Sequence, residues 1–389
     1  MVELTADSKS NNPLAPVIGL SFFAIASGFL MSLIPLSLNA FNINIDLAPW
    51  LASVFYLGLL IGALCIERVV VKIGHRLAFI GFLALLIISV IAQLISPTAT
   101  MWLIARFVAG MAVAGVFVVV ESWLLMANTA KARAKRLGLY MTSLYGGSAV
   151  GQLAIKPLGT TDAVPYLFVI TLLAVAILAP LLITRGQPDT QNLQKLPFKE
   201  LKTLNRPAIL GCLVSGLLLG PIYGLLPVYI AAQTEQAQYT GLLMAVIILG
   251  GMLVQPLVSY LSTRIIKSLL MAIFCFIGTA SVVGILHANS FAALVSSYFI
   301  LGACSFALYP IAITLACDSL PMAKIVSATE IMLLSYSVGS VLGPLMATYF
   351  SDESHGVLIY LGGCLITTCI YMLIKSMKKI PTGNTPVAG

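Results

Sequence analysis

Charge is what this sequence has least of: Asp, Glu, Lys and Arg make up 9% of its 389 residues, while 60% are hydrophobic. Soluble domains carry about 25% charged and about 45–50% apolar residues, so a water-solvated fold is excluded. There are only three histidines (His75, His287, His355), all at the ends of apolar runs, and no His-Glu-x-x-His occurs. No Gly-x-x-x-x-Gly-Lys loop is present either, so nucleotide hydrolysis is not the energy source. Hydrolysis inside a bilayer would need a Ser/His pair, a carboxylate dyad or a metal cluster, and none of these is evident. No enzyme, cofactor or metal is expected. The seven cysteines (65, 212, 275, 304, 317, 364 and 369) sit in or beside apolar runs without metal-type spacing and read as packing residues. The net charge of +8 comes from Lys and Arg scattered over short loops, with no patch for a nucleic acid.

What is present is length and apolar periodicity. A spanning helix needs about 20 apolar residues. Runs of that kind fall at 14–38, 48–66, 77–96, 101–126, 137–158, 164–184, 207–231, 239–262, 268–287, 290–317, 325–350 and 356–374. The sequence therefore predicts an all-α membrane protein of twelve transmembrane helices embedded in a lipid bilayer. Its expected divisions are a tail at 1–13, a six-helix bundle at 14–184, a polar linker at 185–206, a second bundle at 207–376 and a tail at 377–389.

Assigning the loops alternately to two sides puts 19 of the 21 Lys and Arg on the side that holds both termini and the 185–206 linker. Because basic residues concentrate in cytoplasmic loops, both termini are expected in the cytoplasm. A shift of 192 residues superposes Gly28 on Gly220, Pro35 on Pro227, Gly58 on Gly250, Gly110 on Gly302, Gly147 on Gly339 and Gly151 on Gly343. One offset across four spans indicates two tandem halves of the same orientation.

Ionisable residues inside spans cost about 2.5–3.5 kcal/mol on insertion scales and so mark candidate function. Arg106 is either a helix anchor snorkelling to the interface or a cavity cation for an anionic substrate or a coupling carboxylate. Glu121, 15 residues further along the same span, lies about 22 Å away along the axis and cannot pair with Arg106 there. It is either a latch to Arg68, Lys72 or Arg76 or a protonating carboxylate. Glu330 has Gly138 as its repeat mate, which suits a task that one half performs, proton coupling among them; snorkelling with Lys324 competes. Gln152 and Gln255, amides that need partners in an apolar medium, join Tyr145, Tyr223 and Tyr336 as candidate wall residues of a substrate or proton pathway. Pro35 and Pro227 either break or merely bend the first and seventh spans.

The connection after the second span reads Glu67-Arg68-Val-Val-Val71-Lys72-Ile-Gly74-His75-Arg76, and the fourth span opens Arg106-Phe-Val-Ala-Gly110. The fifth carries Gly147-Ser-Ala-Val-Gly151-Gln152, whose repeat mate Gly339-Ser-Val-Leu-Gly343-Pro344 ends in proline. Together these resemble signatures of the major facilitator superfamily, with Val71 in place of the usual loop aspartate and Gln152 in place of the antiporter proline. Glu121-Ser122-Trp123-Leu124 resembles a branch of small bacterial permeases within it. The resemblance implies alternating access around a central cavity, a gating loop of Glu67, Arg68, Lys72, Gly74 and Arg76, and residence as a monomer in the bacterial inner membrane. It implies a small-molecule substrate, with protons as the expected coupling ion. The partial antiporter signature favours efflux; Arg106 favours import of an anionic metabolite or siderophore-like compound. A transporter-like receptor is the remaining alternative.

Overall fold

The computed structural model describes residues 14–125, 130–182, 205–233, 235–318, 322–350 and 355–377. Sixteen α-helices make up almost all of them, and no strand occurs among the described residues. The first four spans are single helices: α1 (Leu14–Ser37), α2 (Ala48–Ile73), α3 (His75–Ile95) and α4 (Ala99–Leu125). Each is apolar around most of its circumference, as a helix between lipid and protein must be. The 1–2 connection turns at Asn42, the one non-glycine residue with positive φ among those described (φ 56°), a conformation that asparagine tolerates. Asn44 then caps the Asp46 amide at 3.0 Å before Pro49 starts α2.

The fifth span is broken. It runs as α5 (Ala130–Met141), a π-helical turn at Thr142–Gly146, α6 (Gly147–Leu153) and α7 (Ile155–Leu158), followed by Gly159 at φ 69°. None of these pieces alone is long enough to cross a bilayer, so eleven continuous segments meet the length and hydropathy of a span, and the interrupted fifth stands beside them. α8 (Val164–Leu182) completes the first six.

The seventh span is split at Leu225 into α9 (Arg206–Gly224) and α10 (Leu226–Ala232). Pro227 sits in the first turn of α10, where a missing N–H is harmless; Pro35, its repeat mate, lies inside the unbroken α1. The eighth span comprises α11 (Thr240–Leu253) and α12 (Gln255–Ser262). Then follow α13 (Lys267–Leu286), α14 (Phe291–Cys317), α15 (Met322–Ala347) and α16 (Gly356–Met377).

By backbone contacts the described residues of 1–195 and 223–248 form one compact unit, and those of 196–222 and 249–389 another. Within each, the same glycine contacts recur at an offset of 192. In the first unit a Cβ on Gly58 would collide with the Phe107 carbonyl oxygen, on Gly28 with that of Ser148, and on Gly151 with that of Ile25. In the second, Gly250 faces the Phe299 carbonyl, Gly220 that of Ser340 and Gly343 that of Leu217. Each partner is displaced by the same 192 residues, so the sequence repeat is also a repeat of backbone contacts. Absence of a side chain lets these helices touch backbone to backbone.

The two units differ at the proline positions. Pro221 and Pro344 lie inside α9 and α15 and withhold the N–H that would reach Leu217 and Ser340 four residues earlier. A Cβ on Gly343 would lie 2.7 Å from the Leu217 oxygen, and one on Gly220 2.7 Å from the Ser340 oxygen, so the two proline-freed carbonyls face the partner helix's glycines reciprocally. The Leu217 carbonyl also accepts a hydrogen bond from the Tyr360 hydroxyl at 3.2 Å. In the first unit the equivalent positions are Phe29 and Gln152.

Candidate functional site

Arg106 lies seven residues into α4. The contacts that Gly58 makes with Phe107, and Gly110 with Phe55, press α2 against α4 and carry Phe55 to the arginine. The guanidinium carbon sits 4.2 Å above the centre of the Phe55 ring. Its Nε is buried without a hydrogen-bond partner among the described residues. The titratable groups near enough to act on its charge are Tyr56 and Tyr166, both uncharged phenols; the Tyr166 hydroxyl is held by Ser37 at 2.7 Å. No carboxylate pairs with Arg106 among the described residues.

Arg106 lines a cavity of about 40 Å³ within the first unit, together with Ser27, Met31, Pro35, Tyr56 and Tyr223. Pro35 has no N–H, so the Met31 carbonyl lacks its donor from the next turn. Ligand pockets usually enclose about 300–1,000 Å³, so the space beside Arg106 is small for a whole solute in this conformation. Tyr145 and Tyr223, both expected on the pathway, pack on one small apolar cluster of Ala149, Ala245 and Ile248.

Gln152 is fully buried and doubly engaged. Its Nε2 donates to the Gly28 carbonyl at 2.6 Å, and its Oε1 accepts from the Ser32 hydroxyl at 2.6 Å. The amide thus ties α6 to α1 beside the Gly28 and Gly151 contacts. Ser32 was not among the residues singled out from sequence; a serine on an apolar helix gives no signal until its partner is known. Gln255 is not drawn into a comparable network: its Nε2 donates to the Gly251 carbonyl of its own chain segment at 2.9 Å. Tyr336 packs against Tyr309 in the second unit, with ring centres 5.1 Å apart and planes tilted by 60°.

At the opposite end of α2, Gly74 ends the helix at φ 82° with its N–H on the Val70 carbonyl at 2.8 Å. Only glycine adopts that conformation without strain. Arg68 and Lys72 are exposed. Arg76 is committed to the end of α8, donating from Nε to the Pro180 carbonyl at 2.6 Å and from Nη2 to that of Leu181 at 3.0 Å. It thereby satisfies carbonyls that a helix end leaves open. Among the described residues Glu121 accepts a hydrogen bond from the Tyr140 hydroxyl at 2.7 Å, while Arg76 is held by the α8 carbonyls. The side chains of Glu67, Glu330 and Lys324 lie outside the described residues.

The Glu121-Ser122-Trp123 segment gains a physical reading here. Ser122 donates its hydroxyl proton to the Val118 carbonyl at 2.6 Å. The Ser122 oxygen also lies 2.9 Å from the His75 Nε2, within hydrogen-bonding distance. Trp123 meets the same imidazole edge-on, with ring centres 6.2 Å apart. Ser122 and Trp123 therefore brace buried His75 at the start of α3, while Glu121 engages α5.

Comparison with known proteins places this geometry. The family model described as Major Facilitator Superfamily matches residues 17–380. An uncharacterized MFS-type transporter of Enterobacter sp. (strain 638) is 30% identical over 376 residues, covering 95% of this chain and 96% of the relative. The uncharacterized MFS-type transporter YcaD of Escherichia coli is also 30% identical, with 95% of each chain covered. In fold the chain is similar to a mutant of the nucleoside transporter NupG (TM-score 0.79, 12% identity, 93% of this chain and 99% of that one). It is also similar to a POT family transporter solved with 5-aminolevulinic acid (TM-score 0.73, 14% identity, 94% and 96% covered).

Proposed function

The chain belongs to the major facilitator superfamily, as a transporter and not an enzyme, and from that membership we propose that it carries a small organic solute by proton-coupled alternating access. The membrane we assign is the bacterial inner membrane, with both termini in the cytoplasm. The observation that carries the reading is Arg106: a cation stacked on Phe55, without an acidic partner among the described residues, lining a cavity that Tyr223 also lines. An anchoring arginine would reach for lipid headgroups or water; this one has its Nε buried. Export is the favoured direction, from the Gly147-Gly151 signature of the fifth span, which keeps its glycines but ends in Gln152. Import of an anionic solute is the second reading, favoured by the same arginine.

Within this scheme Glu330 carries the coupling proton and Glu121 serves as a latch whose partner changes between states. The Tyr140 hydroxyl supports the second assignment, since a hydroxyl can be exchanged for a basic side chain without leaving the carboxylate unpaired. The test is substrate movement in intact cells or vesicles, read by untargeted comparison of solutes inside and outside. Arg106→Ala should abolish the difference that the wild-type protein makes while remaining folded and inserted. Full activity in Arg106→Ala would reduce Arg106 to a structural residue and remove the proposal's basis.

A further inference from the structure

We propose that the solute handled at Arg106 is an organic monoanion, a carboxylate or its equivalent on a predominantly apolar body. This rests on the reading of Arg106 as a substrate contact and sharpens it to a chemical class. Three observations lead there. First, the guanidinium carbon lies 4.2 Å over the Phe55 ring, a cation–π contact that supplies no conventional acceptor to its N–H donors. Nε, a donor that a carboxylate takes in the side-on bidentate arrangement, has no acceptor among the described residues.

Second, the charge around the site is unbalanced. The described lining of the cavity contains no carboxylate beside Arg106, and Glu121 lies about 22 Å along the same helix by the rise of its fifteen intervening steps. A guanidinium in a low-dielectric cavity without a counter-ion is costly, and one negative charge completes it. A second negative charge on the ligand would find no cation among the described lining residues.

Third, the rest of the lining is apolar. Leu30, Ile34, Leu51, Phe55 and Val113 surround the arginine, with Tyr56, Tyr223 and Ser27 supplying hydroxyls. A sugar or nucleoside would bury several hydroxyl or amide groups there without enough partners, each a substantial penalty, whereas an alkyl or aryl body would not. The present space, about 40 Å³, holds a few water molecules. It admits a carboxylate head while excluding the body, so the remainder enters only as the cavity opens.

The test uses the full-length protein in lipid nanodiscs with defined probes: benzoate and octanoate, their methyl esters, benzylamine and succinate. Binding is read by calorimetry. The expected result is saturable binding of benzoate or octanoate, with the esters, the amine and succinate at least about tenfold weaker, as loss of a charge-assisted bidentate contact implies. Arg106→Lys should bind the acids weakly and Arg106→Gln not at all, both variants being checked for monodispersity. If Arg106→Gln does not fold, the acid-against-ester comparison on the wild type and the Arg106→Lys affinity decide. Esters binding as tightly as acids, unchanged acid binding in Arg106→Gln, or no binding of either acid to the wild type overturns the proposal. The class fails by itself if Arg106 is required for transport but the solute moved is neutral or cationic. The underlying reading fails with it if Arg106→Ala transports normally.

Discussion

Replacing Gln152 by Leu keeps roughly the volume and helix preference of the side chain while deleting both of its bonds to α1, the 2.6 Å contacts with the Gly28 carbonyl and the Ser32 hydroxyl. Hydrogen bonds between helices in an apolar medium average about 0.6 kcal/mol, with a maximum near 1.7. Two of them bound the loss between about 1.2 and 3.4 kcal/mol. The lower end is expected, because neither partner is orphaned: Ser32 can turn its hydroxyl to the Gly28 carbonyl, one turn back on its own helix. Ser32→Ala should be milder, since it leaves the Gln152 bond to Gly28 in place. The assay is equilibrium unfolding in mixed micelles, with refolding verified, on the wild type, both single variants and the double variant. If the bond exists as described, the double variant should show a coupling of about 0.6–1.7 kcal/mol between the two sites. Single effects that add to within about 0.3–0.5 kcal/mol would refute the energetic link between α1 and α6, as would a Gln152→Leu protein more stable than the wild type.

Gly58→Ala and Gly250→Ala each force a Cβ onto a backbone oxygen and should cost about 1–3 kcal/mol apiece, whereas Gly81→Ala, with open space around it, should not destabilise; thermal melting in detergent ranks the three. For Glu330→Gln, the proposed coupling role predicts that solute exchange survives while accumulation driven by an imposed pH gradient is lost. Vesicles that still accumulate solute against its gradient would sink that assignment. Single cysteines at Asn42 and Gln236 should react with an impermeant reagent added outside cells, and one at Lys72 should not; the reverse pattern would invert the proposed topology.

Apolar runs made the spans legible because insertion into a bilayer selects on the same property that a hydropathy window measures. The interruption of the fifth span escaped that measure, since a π-helical turn at Thr142–Gly146 changes hydrogen-bond register without changing apolarity. The glycine offset was readable, and its contacts recur in both units, because glycine is the one residue whose absence of side chain is itself the function. Arg106 could be singled out by its cost in the membrane. Its stacking on Phe55 could not, because that depends on how closely α2 approaches α4. Partner identity was the least legible feature: Arg76 reads as part of a basic loop, yet its geometry is set by the Pro180 and Leu181 carbonyls 104 and 105 residues away. Tyr140 likewise gave no sign that Glu121 would be its acceptor.

The proline pair of the second unit has a mechanical meaning. A helix resists bending because its carbonyls are tied to the next turn, and Pro221 and Pro344 cut that tie at Leu217 and Ser340 on two helices that touch at those levels. The corresponding crossing in the first unit keeps an N–H at both positions, Phe29 and Gln152, and adds the Gln152 side chain as a brace. Two copies of one backbone contact thus have unequal stiffness. In the α1–α6 pair the crossing behaves as a welded joint, and in the α9–α15 pair as a flexure at which strain can be taken up by curvature of the helices.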